Sequence, residues 1–244
     1  MKIAVIGTGL IGSQVVSDLT AAGHEATGHS RSTGIDLLTG AGLDDAVRGA
    51  EVVVDVSNSP TFDDASLDFF RTSVTNLLAA AEAAGVRHIV ALSIVGVDEV
   101  PDMAYYRAKT LQEELVKAGP IPYSIVRATQ FMEFVGPSME WTTEGDVVRL
   151  PATPIQPISS AEVAAAVAGV AAGTPLQGTR EIAGPEVFTL DELGRITLEA
   201  TGDKRHVVTD ASAGLFALVK GDALVPRDGA SLASTRYRDW LRSR

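Results

Sequence analysis

Apolar residues along this chain follow two rhythms. Short runs of four to six apolar or β-branched residues alternate with longer stretches in which apolar positions recur every three or four residues. "KIAVI", residues 2 to 6, is the first run and stops at Gly7, as a buried parallel strand does. Residues 13 to 22 read as a helix ended by Gly23. Glu25 to His29 reads as a weaker strand, and Leu43 to Arg48 as a short helix. "EVVVDVS" is β-branched and predicts a core strand. Leu67, Phe70, Val74, Leu77, Leu78 and Ala81 then mark a long helix closed by Gly85. "RHIVALS" predicts the next strand, with Ser93 at its C-terminal end. A helix capped by Asp102 and ended by Gly119 follows, and "YSIVRA" is a further strand. Strand and helix alternate throughout, which predicts an α/β fold with a parallel sheet and helices on both faces.

The rhythm fades after Arg127. "LPATPIQPISS" carries three prolines and reads as an extended connection. Ser159 with Glu162, and Thr189 with Glu192, have capping-box spacing and predict two helix starts. The last 40 or so residues are poorly periodic except for "STRYRDWLRSR". A length of 244 residues suits one domain, with a nucleotide-binding core over about residues 1–130 and a smaller substrate-side lobe over about 131–244.

Composition narrows the chemistry. A net charge of -11 argues against general affinity for nucleic acid or anionic membranes. No apolar run reaches the length of a membrane span, and "MKIAVIGTGL" enters a strand too directly for a signal peptide, so the chain reads as cytoplasmic. With no cysteine and four scattered histidines, no metal site is expected.

"AVIGTGLIGSQVV" contains Gly7-x-Gly9-x-x-Gly12 between an expected strand and an expected helix. That context gives the pattern its meaning. Gly7 permits a tight turn, Gly9 lets backbone approach a pyrophosphate, and Gly12 lets helix and strand pack closely. Free N–H groups at the helix start, along Thr8, Leu10 and Ile11, would meet the phosphates. Cofactor choice is read at the end of the second strand, where an acid would select NAD. "HSRS" has no acid there. Arg31, with Ser30 or Ser32, suits a 2′-phosphate and points to NADP, against the alternative of a solvated surface arginine.

Tyr105 and Lys109 are four residues apart, and Tyr106 and Lys109 three apart, so each pair shares a helix face. Ser93 ends the preceding strand, on the edge where doubly wound sheets bind ligands. The pair is either a phenol tuned by a cation, which lowers its pKa toward neutrality, or a plain helix face.

With these residues the chain resembles the short-chain dehydrogenase/reductase superfamily, in its atypical, NmrA-like branch of NAD(P)H-binding proteins. The resemblance rests on the glycine loop, "VVVDVSNSP", "NLLAAAEAAGVRHIVALSIVG", "YYRAKTLQEELVKAG", "YSIVRATQFMEF", "IQPISSAEVAAAV" and "IAGPEVFTLDEL", and covers nearly the whole chain. It implies a Rossmann-type doubly wound sheet with a small C-terminal substrate-binding lobe. It places the Tyr-x-x-x-Lys pattern on Tyr105 and Lys109 and the family serine on Ser93. Tyr105 would protonate a carbonyl oxygen, Lys109 would lower the phenol pKa and hold the nicotinamide ribose, and Ser93 would hydrogen-bond the carbonyl. Ser57 and Asn58 would line the dinucleotide crevice, Asp36 and Leu37 would contact adenine, and Thr129 would face the nicotinamide carboxamide.

Three departures accompany the resemblance. The loop is one residue shorter than Gly-x-x-Gly-x-x-Gly, Phe70 stands where extended members carry a relay asparagine, and Arg127-Ala128-Thr129 replaces Arg-Pro-Gly. Phe131, Met132, Phe134, Met139 and Trp141 offer an apolar lining on the substrate side, or ordinary core. The expected function is an NADPH-dependent oxidoreductase that reduces a small carbonyl or quinone-like substrate. The rivals are a non-catalytic NADP(H)-binding redox sensor and an isomerase or lyase using bound NAD. Substrate identity and oligomeric state are not written in these residues.

Overall fold

Strands form where the apolar runs stand, and the computed structural model describes all residues from Met1 to Arg244. In chain order the elements begin β1 (Lys2–Ile6), α1 (Leu10–Ala21), β2 (Glu25–His29), α2 (Leu43–Ala46), β3 (Val52–Asp55), α3 (Ala65–Ala83), β4 (His88–Ile94), α4 (Ala104–Ala118) and β5 (Tyr123–Ala128). They continue with α5 (Val135–Trp141), β6 (Thr143–Glu144), β7 (Val147–Leu150), β8 (Pro154–Ile155), α6 (Ser160–Ala171), β9 (Gly178–Ala183) and β10 (Phe188–Thr189). The chain closes with α7 (Leu190–Thr201), β11 (His206–Thr209), β12 (Ser231–Leu232) and α8 (Tyr237–Arg242).

The seven-stranded sheet has the order β12-β9-β5-β4-β3-β1-β2. β1 pairs in parallel with both β2 and β3, and β3 with β4. Chain order reverses between β1 and β3, so the loops after these two strands flank a topological switch point, where open α/β sheets bind ligands. The expected α/β Rossmann-type architecture is present.

The chain forms two compact units. The first comprises Met1–Arg127 and Ala161–Arg180, the second Ala128–Ser160 and Glu181–Arg244. A cut near residue 130 therefore misses that residues 161 to 180 return to the first unit. α6, "SAEVAAAVAGVA", buries Val163, Ala164, Val167, Ala168, Val170 and Ala171 and leaves Ala161, Ala165 and Gly169 exposed, so one broad apolar face carries its packing.

In the first unit, strand alternation sends Ala4, Ile6, Val53, Ile89 and Ala91 into one core with Phe70, Val74 and Leu77 of α3 and Ala108 and Val116 of α4. In the second unit, β11 pairs in parallel with β7, which pairs antiparallel with β6, and β10 pairs antiparallel with β8.

Local expectations shift at several helix ends. α1 begins at Leu10 rather than Ser13, because Gly9 is extended (φ −75°, ψ −153°) and turns the chain straight into the helix. α2 stops at Ala46, short of Arg48. Met103, not Asp102, is the N-cap of α4, with no side-chain cap bond. α7 starts after Thr189 as expected, but Thr189 makes no cap bond, its hydroxyl instead helping to hold the Asp191 carboxyl below its ordinary range. At the start of α6, Glu133 accepts from the Ser160 N–H (3.2 Å) and hydroxyl (2.6 Å), a carboxylate supplied from 27 residues upstream.

One buried base gives the first unit a pH dependence. His88 is buried, its Nε2 is 2.8 Å from Ser124 Oγ, and burial lowers its pKa. Below about pH 6.5 the unfolded chain takes a proton that the folded chain resists, so stability falls as pH falls. Urea unfolding should show wild type losing roughly 1 kcal/mol more than His88→Gln between pH 7 and pH 5.5. Equal losses would exclude His88 as the source.

Candidate functional site

The glycine loop joins β1 to α1, and sterics explain its composition. Gly7 has φ +98°, and a Cβ there would lie 2.9 Å from the Val56 carbonyl oxygen. A Cβ on Gly12 would lie 1.8 Å from the Gly7 carbonyl oxygen, so helix and loop touch backbone to backbone. A Cβ on Gly9 would meet nothing within 4 Å. Gly9 is thus not needed for packing, and its open flank is the surface a pyrophosphate would use. Leu10 is 51% exposed at the helix start, while Ile11 is buried. The first turn of α1 has no side-chain cap and no acidic residue, which leaves its N–H groups suited to an anion. Thr8 packs beside β2, where a Cβ on Gly28 would lie 2.8 Å from its methyl group.

After β2, Ser30 and Thr33 box a short 3₁₀ turn over Arg31–Thr33. Ser30 Oγ lies 2.9 Å from Ser32 Oγ. The Arg31 side chain is 74% exposed and lies 3.9 Å from Asp36 Oδ2. Asp36 Oδ1 accepts from the N–H groups of Leu38 and Thr39, which hold its carboxyl below the ordinary range, with a smaller contribution from Arg31. The Leu37 carbonyl accepts from Asn76 Nδ2 at 2.9 Å, which ties this loop to α3.

At the end of β3 a buried polar chain begins. Asp55 Oδ1 accepts from the Ser57 N–H (3.0 Å) and hydroxyl (2.6 Å). Asp55 Oδ2 accepts from Gln112 Nε2 at 2.7 Å. Gln112 Oε1 in turn accepts from Lys109 Nζ, which also donates to the Leu92 carbonyl at 2.7 Å. Lys109 is 4% exposed, and its ammonium lies 4.9 Å from the centre of the Phe70 ring. Burial pulls its pKa down to about 8, against the pull of Asp55 and Glu113.

The Tyr105 hydroxyl donates to Asn58 Oδ1. Its ring packs edge-on against Phe62 (5.0 Å) and Phe70 (6.2 Å). The expectation that Lys109 lowers the phenol pKa is corrected here, since burial raises it and Tyr106 raises it further. The physical reason is that the aromatic surroundings remove the water a phenolate needs, while Gln112 and Leu92 hold the ammonium. Tyr106 is buried, as its turn toward the core implies.

Two other expected members have different surroundings. Ser93 shares the strand face of Ile89 and Ala91, beneath the helices. Its hydroxyl has no partner of hydrogen-bond geometry, although it is close enough to help hold the Glu113 carboxyl below its ordinary range. Glu113 also pairs with Arg127 (2.8 Å) and Lys117 (2.9 Å). Thr129 belongs to the second unit, is buried, and donates its hydroxyl to the Gln156 carbonyl at 2.5 Å. In the same unit, Met132 and Met139 are core, Phe134 packs edge-on against Trp141 at 5.2 Å, and Trp141 is 55% exposed.

Asp55, Gln112 and Asn76 were not singled out from sequence. The first two had a signal: an acid closing an apolar "VVVD" run, and an amide three residues after Lys109 on one helix face. Asn76 had none.

If the loop holds a pyrophosphate, Gly9→Asp should abolish NADPH binding in fluorescence titration while leaving the melting temperature nearly unchanged. Gly12→Ala should instead destabilise the fold by about 1–3 kcal/mol or more, because the clash is with backbone. A folded Gly9→Asp variant with wild-type affinity would remove the site from this loop.

Residues 7–173 match the model of an NAD(P)H-binding family. Over 212 residues the chain is 31% identical to (4-alkanoyl-5-oxo-2,5-dihydrofuran-3-yl)methyl phosphate reductase of Streptomyces griseus, covering 79% of this chain and 71% of that protein. Among solved structures it is similar to an Escherichia coli NADPH-dependent quinone oxidoreductase complexed with NADPH, with a TM-score of 0.70 and 23% identity over 85% of this chain and 77% of that one. It is similar also to Citrobacter triphenylmethane reductase complexed with NADP(H), with a TM-score of 0.66 and 22% identity over 86% of this chain and 79% of that one. A glycine cradle at a sheet's switch point and a family match across it make this chain a member of the NAD(P)H-binding family.

Proposed function

We propose that the protein is an NADPH-dependent reductase of a carbonyl or quinone-like small molecule, with Tyr105 as proton donor. The observation that carries this reading is the Tyr105 hydroxyl bonded to Asn58, just beyond the end of β3 at the switch point. When bound, the reduced dinucleotide supplies a hydride, two electrons with their hydrogen, to the acceptor carbon. The chain's own residues do the rest. The N–H groups of α1 and the open flank of Gly9 receive the pyrophosphate. Arg31 receives a 2′-phosphate, which competes with Asp36 for the guanidinium.

Tyr105 holds its proton at working pH, since burial disfavours the phenolate. It therefore serves as a hydrogen-bond donor to the acceptor oxygen. On a simple carbonyl, hydride addition leaves an alkoxide, a stronger base than a phenolate, so the proton moves from the phenol to that oxygen. Lys109, held by Gln112, keeps a positive charge below the ring cluster and donates to the nicotinamide ribose. The Streptomyces griseus relative is, by its name, a reductase of a methyl phosphate whose dihydrofuran ring carries an oxo group and, on the neighbouring carbon, an alkanoyl group. That relative and the quinone oxidoreductase likeness support conjugated carbonyl acceptors as the first class to test.

One observation favours a second reading, a cofactor-binding sensor without turnover. Phe70 touches both the Lys109 ammonium and the Tyr105 ring, so an apolar ring occupies the place of a polar relay.

A panel of aldehydes, ketones, enones and quinones with NADPH separates the two. Tyr105→Phe should remove turnover with NADPH affinity nearly unchanged, whereas Tyr106→Phe should keep both. Lys109 titrates near 8, so its charge, and with it the rate, should decline as pH rises past about 8. Lys109→Met should be slow throughout and lack that decline. Full turnover in Tyr105→Phe would overturn the mechanism, and tight NADPH binding with no reduction of any panel member would favour the sensor. Arg31→Ala should weaken NADPH binding about tenfold to a hundredfold and NADH binding little. Equal losses would remove Arg31 from 2′-phosphate recognition.

A further inference from the structure

The second unit contains a cavity of about 190 Å³. Trp141, Leu150, Pro151, Leu190, Leu215 and Phe216 form most of its wall. These residues come from α5, the end of β7, the start of α7 and the 3₁₀ turn Leu215–Leu218, so four separate segments converge on it.

The two hydroxyls of its lining, Ser138 and Thr142, donate within the wall. The Ser138 hydroxyl donates to the Phe134 carbonyl at 2.9 Å, and the Thr142 hydroxyl to the Ser138 carbonyl at 3.1 Å. Backbone acceptors around the wall are occupied too. The Phe216 carbonyl accepts from the Thr153 hydroxyl (3.0 Å), and the Leu150 carbonyl from the Asp210 N–H (2.9 Å). Water in a cavity needs two to four polar partners, so a space walled in this way is poorly hydrated. Solvent reaches its edge, where Trp141 is 55% and Leu215 39% exposed. Large apolar side chains left in water at the rim of a dry cavity gain by covering an apolar guest.

We propose that this cavity binds an uncharged apolar group of roughly six to eight carbons, a single ring or a short alkyl chain, with any polar part of the molecule left at the mouth. The size follows from the volume, since an apolar cavity of about 150 Å³ already accepts benzene. A charged ligand is excluded, because no lining side chain is ionisable and the nearby hydroxyls are committed. The proposal stands on the second unit alone and does not rest on the reductase reading.

The full-length chain allows a direct test. It has two tryptophans, so Trp240→Phe leaves Trp141 as the sole reporter. Toluene and 1-hexanol should each produce a saturable change in Trp141 emission and raise the melting temperature, and glycerol should do neither. The stronger of the two responses tells a ring from a chain. Ala213→Phe fills the space, and Leu215→Asp puts a carboxylate on its wall. Each should weaken the response about tenfold or more, and the two together guard against one variant failing to fold. Non-saturating changes, or responses unchanged in folded variants, would overturn the proposal. So would a signal that grows with protein concentration alone, which would mean that a second copy covers the rim.

Discussion

A buried ammonium is costly unless its protons find acceptors, and the first unit is arranged around meeting that requirement for Lys109. The Leu92 carbonyl and Gln112 take two of the protons, and Asp55 supplies the balancing charge through the same amide. This chain of bonds spans β4, α4 and β3, so it fixes the helix against both strands. Tyr105 lies one turn before Lys109 on α4, and Ser57 lies two residues beyond Asp55. Asp55 thus holds Ser57 directly and Lys109 through Gln112, while the phenol is held separately by Asn58. Three of the buried residues of α4, Lys109, Gln112 and Glu113, are polar, which a helix built only for packing would not carry.

The glycine loop is coupled to this framework through backbone contact. Gly7 lies against Val56 and Ser57, and Gly12 against Gly7. Ser57 is in turn bonded to Asp55. A shift in the buried chain would move Ser57 and, through it, the turn that ends β1. Two tight constraints meet here, a buried charge that must be compensated and a glycine loop with no room for a Cβ at Gly7 or Gly12.

Most of the first unit was legible in the sequence because strand and helix have different apolar periods. "KIAVI" and "YSIVRA" match their strands residue for residue. The second unit was less legible. Its strands of two to four residues are too short for a period to emerge, and several pair with segments far away in sequence. The start of α6 was legible from Ser159 and Glu162, whereas the carboxylate that Glu133 brings to it from 27 residues upstream was not, since no spacing rule reaches that far. At the site, the residue types and spacing of Tyr105 and Lys109 were readable, but the direction of the phenol pKa was not. That direction depends on Phe62 and Phe70, which folding brings against the ring from more than 30 residues away.

A chain of net charge -11 must receive a polyanionic dinucleotide without a general positive surface. The two cations of the proposed site are unequal. Lys109 is held by acceptors and serves the interior, whereas Arg31 meets Asp36 only at 3.9 Å and stays largely solvated. The Asp36 carboxylate already takes two backbone N–H groups through its other oxygen, so it can yield the guanidinium without being left unpaired. The remaining attraction comes from oriented N–H groups at the start of α1, which act over the length of a hydrogen bond and not across the surface. In the proposed site, selectivity would follow from shape: an anion would gain by lying against Gly9, where no side chain stands in the way. Acidic composition elsewhere turns away other polyanions without weakening this contact, because surface charges beyond a Debye length are screened.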